Sequence, residues 1–211
     1  MSLVPGCPRC PAPVTEHDGA WACVDHGPTP PLWRPREASY DSFVDHLGVA
    51  GAFPTLLPWP LGPDWQVSDF AAVSASADRT SATLTCTSGT SDLDGPVDVY
   101  VVAEEPGTGL GARVAGTRGP DPGPAVGDGP PMAKVLIGHK SVPLWAVSTS
   151  GEDHELDRFV VAGEAGGRWL WLVLRPASAV LLLRDEWILR DVSGLGPPLV
   201  ETRFGGPSPA W

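Results

Sequence analysis

The chain of 211 residues is poor in positive charge: it has 14 Lys plus Arg against 25 Asp plus Glu, a net charge of −11, and Lys134 and Lys140 are its only lysines. Such an average surface repels phosphate backbones and anionic membranes. The longest uninterrupted apolar run, Trp169 to Leu174, has six residues, far below the ~18 that a membrane-spanning helix needs. No charged start is followed by an apolar stretch, because Met1 to Cys10 is broken by Pro5, Gly6 and Pro8, so a secretory leader is not expected. The expectation is a soluble, cytoplasmic protein. Catalytic signatures are missing too. There is no G-x-S-x-G elbow, no Walker A loop and no H-E-x-x-H helix.

Against these absences stand 25 Gly, 25 Pro, 9 Trp and 42% hydrophobic residues. The Gly and Pro content approaches that of disordered chains, but buried tryptophans each remove about 150–250 Å² from water. A folded core is expected. Gly does not recur at every third position, which excludes a collagen-like chain.

Three of the four cysteines lie near the start. Cys7-Pro-Arg-Cys10 and Cys23-Val-Asp-His26 are two C-x2-C/H pairs separated by 12 residues, the spacing of two metal-binding knuckles. Between them, 11–16 and 20–23 can pair as strands across Asp18-Gly19, a favoured hairpin dipeptide. The reading is a zinc ribbon with Cys7, Cys10, Cys23 and His26 as ligands to one structural Zn²⁺ per chain. Disulfides are the alternative reading, but they leave an odd thiol and suit an oxidising compartment. His17 competes with His26 as fourth ligand but lacks knuckle spacing. Four protein ligands close the site to substrate, and three basic residues (Arg9, Arg34, Arg36) balance three acidic ones (Glu16, Asp18, Asp25) up to position 36. A structural or protein-facing ribbon is favoured over one that binds nucleic acid, with Trp21 and Trp33 packing it onto the main domain.

Beyond the ribbon (1–35), residues 36–49 carry Tyr40, Phe43, Val44 and Leu47 at helical spacing. Residues 51–63 contain four prolines and read as an extended connector. A β domain then spans 64–193, with strands expected at 66–75, 81–87, 97–103, 133–137, 142–149, 159–163, 169–174, 180–184 and 187–192; by periodicity alone 169–174 with 180–189 could be buried helix, but Pro176 and the short lengths argue for strands. A Gly/Pro-rich tail, 194–211, follows. The fold expectation is mainly β (α+β at most): an antiparallel β sandwich or barrel-like domain with one short helix. The loop 106–131 holds 14 Gly and Pro in 26 residues. It opens with Gly107-Thr-Gly109-Leu-Gly111-Ala112, a literal match to the dinucleotide fingerprint, but Gly116, Gly119, Pro120 and Pro122 follow where a helix would have to aim at a pyrophosphate. A nucleotide is not expected there.

No catalytic residue and no other cofactor is assigned. Glu104 and Glu105 beside the loop, with Glu164, could serve as strand-end acid and base. Glu152, Asp153, His154, Glu155 and Asp157 could chelate a second metal but suit a solvated turn better. Cys86 and His139 are explained as well by packing or a turn.

The segments Cys7–Cys10 and Trp21–Gly27, Leu57-Pro-Trp-Pro-Leu-Gly-Pro-Asp-Trp65, Val102–Arg113, Gly119–Pro124 and Gly163–Trp171 together resemble a family of actinobacterial cytoplasmic proteins. The resemblance covers nearly the whole chain and implies a zinc-ribbon-like segment joined to a domain of unknown function. The leading expectation is a non-catalytic, zinc-stabilised accessory protein that binds another cytoplasmic protein. The alternatives are a hydrolase or transferase using Glu104, Glu105 or Glu164, and a nucleic-acid-binding regulator whose Arg34, Arg36, Arg113, Arg118 and Arg168 would have to share one surface.

Overall fold

The computed structural model describes residues 2–76, 78–149, 157–184 and 187–211. Strand β1 (Leu3–Gly6) leads into a small module of β2 (Val14–His17), β3 (Ala20–Cys23) and β4 (Gly27–Pro28), and β5 (Leu32–Pro35) returns beside β1. Helix α1 (Tyr40–Ala50) and the short strand β6 (Leu56–Pro58) precede three long strands, β7 (Gln66–Ser74), β8 (Thr80–Ser91) and β9 (Gly95–Glu104). After helix α2 (Leu110–Ala115) come β10 (Ala133–Ile137), β11 (Lys140–Ala146), β12 (Phe159–Ala165), β13 (Arg168–Arg175), a 3-10 helix (Ala177–Arg184), β14 (Trp187–Asp191) and a last 3-10 turn (Pro197–Glu201). Eleven strands form one sheet in the order β1-β5-β7-β8-β9-β13-β12-β11-β10-β14-β6, and β2-β3-β4 form the second. Neighbours run antiparallel except β10 and β14. The protein is mainly β and antiparallel-rich, as its composition and periodicity predict.

The central strands alternate in which core they feed. Trp169, Trp171 and Val173 of β13 join Tyr100 and Val102 of β9 on one face. Leu170, Leu172 and Leu174 join Val97, Val99 and Val101 on the other. Successive strand residues point to opposite faces, so a run such as Trp-Leu-Trp-Leu-Val-Leu must be covered on both sides. On the first face α2 supplies Leu110, Ala112, Val114 and Ala115. On the second the sheet bends back over itself, and β10, β11 and β14 contribute Val135, Val142, Leu144 and Leu189. Strand β6 straps this arrangement. Thr83 and Thr85 of β8 donate through their hydroxyls to the carbonyls of Pro54 and Leu56, both at 2.6 Å.

Helix α1 begins with a capping box. Ser39 accepts from the amide of Ser42, whose hydroxyl in turn accepts from the amide of Ser39, which satisfies two otherwise unpaired donors. Its Phe43 stacks on His46 and meets Phe70 edge-on, 4.9 Å between centroids. His46 is fully buried, and that burial pushes its pKa down to about 3. It behaves as a neutral aromatic.

Three expectations change. Residues 180–184 lie in the 3-10 helix, not a strand. Pro176 sits ahead of its first turn, where no amide bond is lost, and its carbonyl accepts from Ala179, while Ala179 and Leu183 face the core. Among the described residues the one short helix becomes two α-helices and two 3-10 segments. Residues 3–6 and 32–35, placed with the ribbon by sequence, pair as β1 and β5 in the large sheet.

Gly163 on β12 reflects how tightly the sheet closes. A Cβ there would stand 2.2 Å from the carbonyl oxygen of Pro143 on β11, and backbone cannot yield as a flexible side chain can. Gly163→Ala is expected to destabilise the protein by roughly 1–3 kcal/mol, read as a fall in urea midpoint at unchanged slope. Wild-type stability in this variant would contradict the packing.

Candidate metal centre

The hairpin between the knuckles forms as its sequence dictates. Val14 to His17 pairs with Ala20 to Cys23, and Asp18 and Gly19 both adopt positive φ, 51° and 77°, as a two-residue turn of this kind requires. This register returns Cys23 to the base of the hairpin beside Val14. The ligand atoms of Cys7, Cys10, Cys23 and His26 all lie within 4.8 Å of one another. Cys10 Sγ stands 3.6 Å from Cys23 Sγ, and His26 Nδ1 stands 3.6 Å from both Cys7 Sγ and Cys23 Sγ. These four residues can hold a metal ion. His17 is exposed on β2 and outside the group.

The electrostatics of the cluster explain why it calls for a cation. Burial pushes the Cys10 thiol up to about 12, and the neighbouring Cys7 adds to the rise. Burial also works against ionising Cys23, yet His26 and the turn amides of Asp25 and His26 hold it down to about 6. Packed this closely, the thiols resist ionising together until positive charge arrives among them. All four cysteines are free thiols.

The module docks onto the main sheet through two arginines and two tryptophans. Arg9, inside the first knuckle, donates to the carbonyls of Gly107 and Thr108 at 2.5 and 3.1 Å. Arg113 of α2 donates to the carbonyl of Cys7 itself. Trp21 meets Trp33 edge-to-face at 5.6 Å, the packing role expected of both. Between the module and α2 lies a cleft of about 290 Å³ lined by Arg9, His26, Gly109 and Arg113. A further connection was not foreseen from sequence. The ring of Trp211 lies between the guanidinium groups of Arg34 and Arg113, 4.3 and 4.7 Å from its centroid, and its indole N–H donates to Asp69 at 2.7 Å. Burial pushes the Asp69 carboxyl up, against the pull of Arg34 at 2.6 Å.

The glycine-rich loop does hold a helix. Gly109 in a left-handed conformation (φ 85°) opens α2, and Gly116 (φ 71°) closes it after six residues. The expectation of no helix here underweighted the apolar spacing of Leu110, Val114 and Ala115. Its leading amides point at an anion, but the anion is Glu104 of the same chain. Glu104 is fully buried and accepts from Leu110 N (2.8 Å), Gly111 N (3.2 Å) and the Trp171 indole N–H (2.7 Å). Gly111 is required by this approach, since a Cβ there would meet the Trp171 ring at 2.2 Å. The signal was present in the parity of β9, where Tyr100, Val102 and Glu104 share one buried face.

The other candidates do not converge. Glu105 is exposed, and exposed Glu164 accepts from Gly167 N in its own turn, so neither reaches Glu104's enclosure. Arg34 and Arg113 flank Trp211, while Arg168 lies over Phe53 against the opposite core. Cys86 is buried in the first core and His139 lies in the exposed β10–β11 turn. Glu152, Asp153, His154 and Glu155 lie outside the described residues. Among the described residues no helix is long and apolar enough to cross a membrane.

A family of unknown function, DUF6758, matches residues 1–211, and the chain belongs to it. No curated protein and no solved structure matches the chain.

Burial raises the Glu104 pKa to about 7 despite its three donors. The folded state therefore binds a proton that the unfolded state, with an ordinary carboxyl near 4.5, has released. Stability from this group is full below about pH 4.5 and is lost as pH rises towards 7, by on the order of 3 kcal/mol. Urea denaturation at pH 5 and pH 8 should show this loss in wild type and not in Glu104→Gln; identical pH slopes in the two proteins would refute it.

Proposed function

We propose that the chain is a non-catalytic accessory protein of the cytoplasm, stabilised by one structural Zn²⁺ and acting by binding another protein. The observation that carries the reading is the closed ligand set. Three thiols and one imidazole surround one point, and the separations of 3.6 Å suit tetrahedral bonds of about 2.3 Å to sulfur and 2.0–2.1 Å to nitrogen. A set of soft thiolates with one imidazole favours zinc over magnesium or calcium, which prefer oxygen. With four protein ligands there is no open position for water or substrate. The remaining catalytic candidates weaken in parallel, because Glu104 occupies the loop amides that a phosphate would need and Glu164 serves its own turn.

A protein partner is favoured over nucleic acid by charge and by exposed apolar surface. Arg34 and Arg113 are committed to Trp211, and the chain carries −11 overall. Val24, inside the second knuckle, is an apolar side chain that is 82% exposed. The neighbouring Gly/Pro-rich stretch 116–131 provides a contact surface with few side chains to order on binding.

Metal analysis of protein purified without chelator should return about one equivalent of zinc, and Cys10→Ser should return much less. Less than half an equivalent in wild type sinks the metal assignment. The partner is tested by crosslinking and capture from native lysate with wild type and Val24→Asp. A protein retained by wild type and lost by the variant is expected. Clear hydrolase or transferase turnover by the purified chain, with no protein retained, overturns the reading.

A further inference from the structure

The second face of the sheet contains a cavity that neither the metal centre nor its docking uses. It has a volume of about 310 Å³ and is lined by Pro58, Trp59, Leu61, Trp65, Thr87 and Trp187, among other uncharged residues. Three of the nine tryptophans therefore line one cavity, none of them completely buried. Trp187 is anchored by its indole N–H to the Leu182 carbonyl at 2.8 Å, and Trp65 lies flat over Gly89, where a Cβ would stand 2.4 Å from its ring. The walls are aromatic and fixed.

The polar feature is Thr87. Thr83, Thr85 and Thr87 alternate along one face of β8. The first two hydroxyls donate to carbonyls of the β6 strap. Thr87, next in the series and lining the cavity, has a fully buried side chain whose hydroxyl finds no partner among the described residues. An unpaired buried hydroxyl costs about 1–3 kcal/mol. Valine would fill the same space without that penalty.

We propose that this cavity binds an uncharged aromatic small molecule carrying one hydrogen-bonding group, whose ring stacks on the indoles and whose polar group pairs with Thr87. The size fits, since an apolar cavity of about 150 Å³ takes benzene and twice that admits a bicyclic or substituted ring. A cationic ligand is disfavoured: the lining contains no carboxylate, and the guanidinium of Arg190 already lies 5.6 Å from the Trp59 centroid. An anion would lose its hydration against a lining that holds no charged side chain, since Arg190 stands outside it.

The test uses the full chain labelled with 5-fluorotryptophan, titrated with 2-naphthol and with 2-methylnaphthalene, which has a methyl group in place of the hydroxyl. In ¹⁹F spectra, 2-naphthol should shift the resonances of Trp59, Trp65 and Trp187 and leave Trp21, Trp33 and Trp171 in place, binding about tenfold more tightly than its methyl analogue. In Thr87→Val that ratio should fall to about one, and the variant should melt at or above wild type because an unpaired hydroxyl has been removed. No shift at the three resonances, equal affinity of wild type for both probes, a preference that survives in Thr87→Val, or a variant that melts well below wild type would each overturn the assignment. So would tighter binding of trimethylanilinium than of 2-naphthol.

Discussion

The structure depends on a sheet whose central strands are apolar on both faces. Strands β9 and β13 send Val and Leu one way and Trp, Tyr and Val the other, and no antiparallel sheet can leave such a face in water. Each face is solved with different material. One is closed by the sheet bending over itself, with β6 as a strap. The other is closed by α2 and by Trp211. The Cys/His module keeps a small cluster of its own and docks on α2. Arg113 links these pieces physically, since one guanidinium reaches the Cys7 carbonyl and lies against the Trp211 ring.

The same demand accounts for the fate of the glycine fingerprint. Gly107, Gly109 and Gly111 permit a tight turn and a close approach, and in a nucleotide-binding protein that approach is to phosphate. Here it is to the Trp171 ring and the Glu104 carboxylate. A buried carboxylate is tolerated only when its lone pairs are met, and α2 meets them with backbone amides that would otherwise lack partners. The geometry of an anion site is retained while its ligand is internal.

Much of this was legible in the sequence, and the limits have physical causes. The clustering of Cys7, Cys10, Cys23 and His26 could be read because a group able to hold a metal ion calls for short, fixed spacings in the chain. Strand positions could be read because alternation is local. Residues 180–184 could not, since a short apolar run carries no period and tertiary packing decides it. The Trp211–Asp69–Arg34 cluster escaped because Trp211 lies 142 residues from Asp69 and still further from Arg34 in the chain, and no local pattern signals such a meeting. Glu104 was noticed as a strand-end acid, but its parity on β9, which fixes it inside, was not weighed.

The pairing of β6 with β14 has a kinetic side. Thr55, next to β6, donates its backbone N–H to the Asp191 carboxylate across 136 residues of chain, and β14 also completes the edge of β10. Hairpins such as β8–β9 and β12–β13 close over short loops, whereas these two strands wait for nearly the whole chain to be in place. Until then β10 presents an unpaired backbone edge, which is a template for strands of other molecules. The strap that finishes the native fold is also the step at which a crowded population of folding chains is most prone to join together.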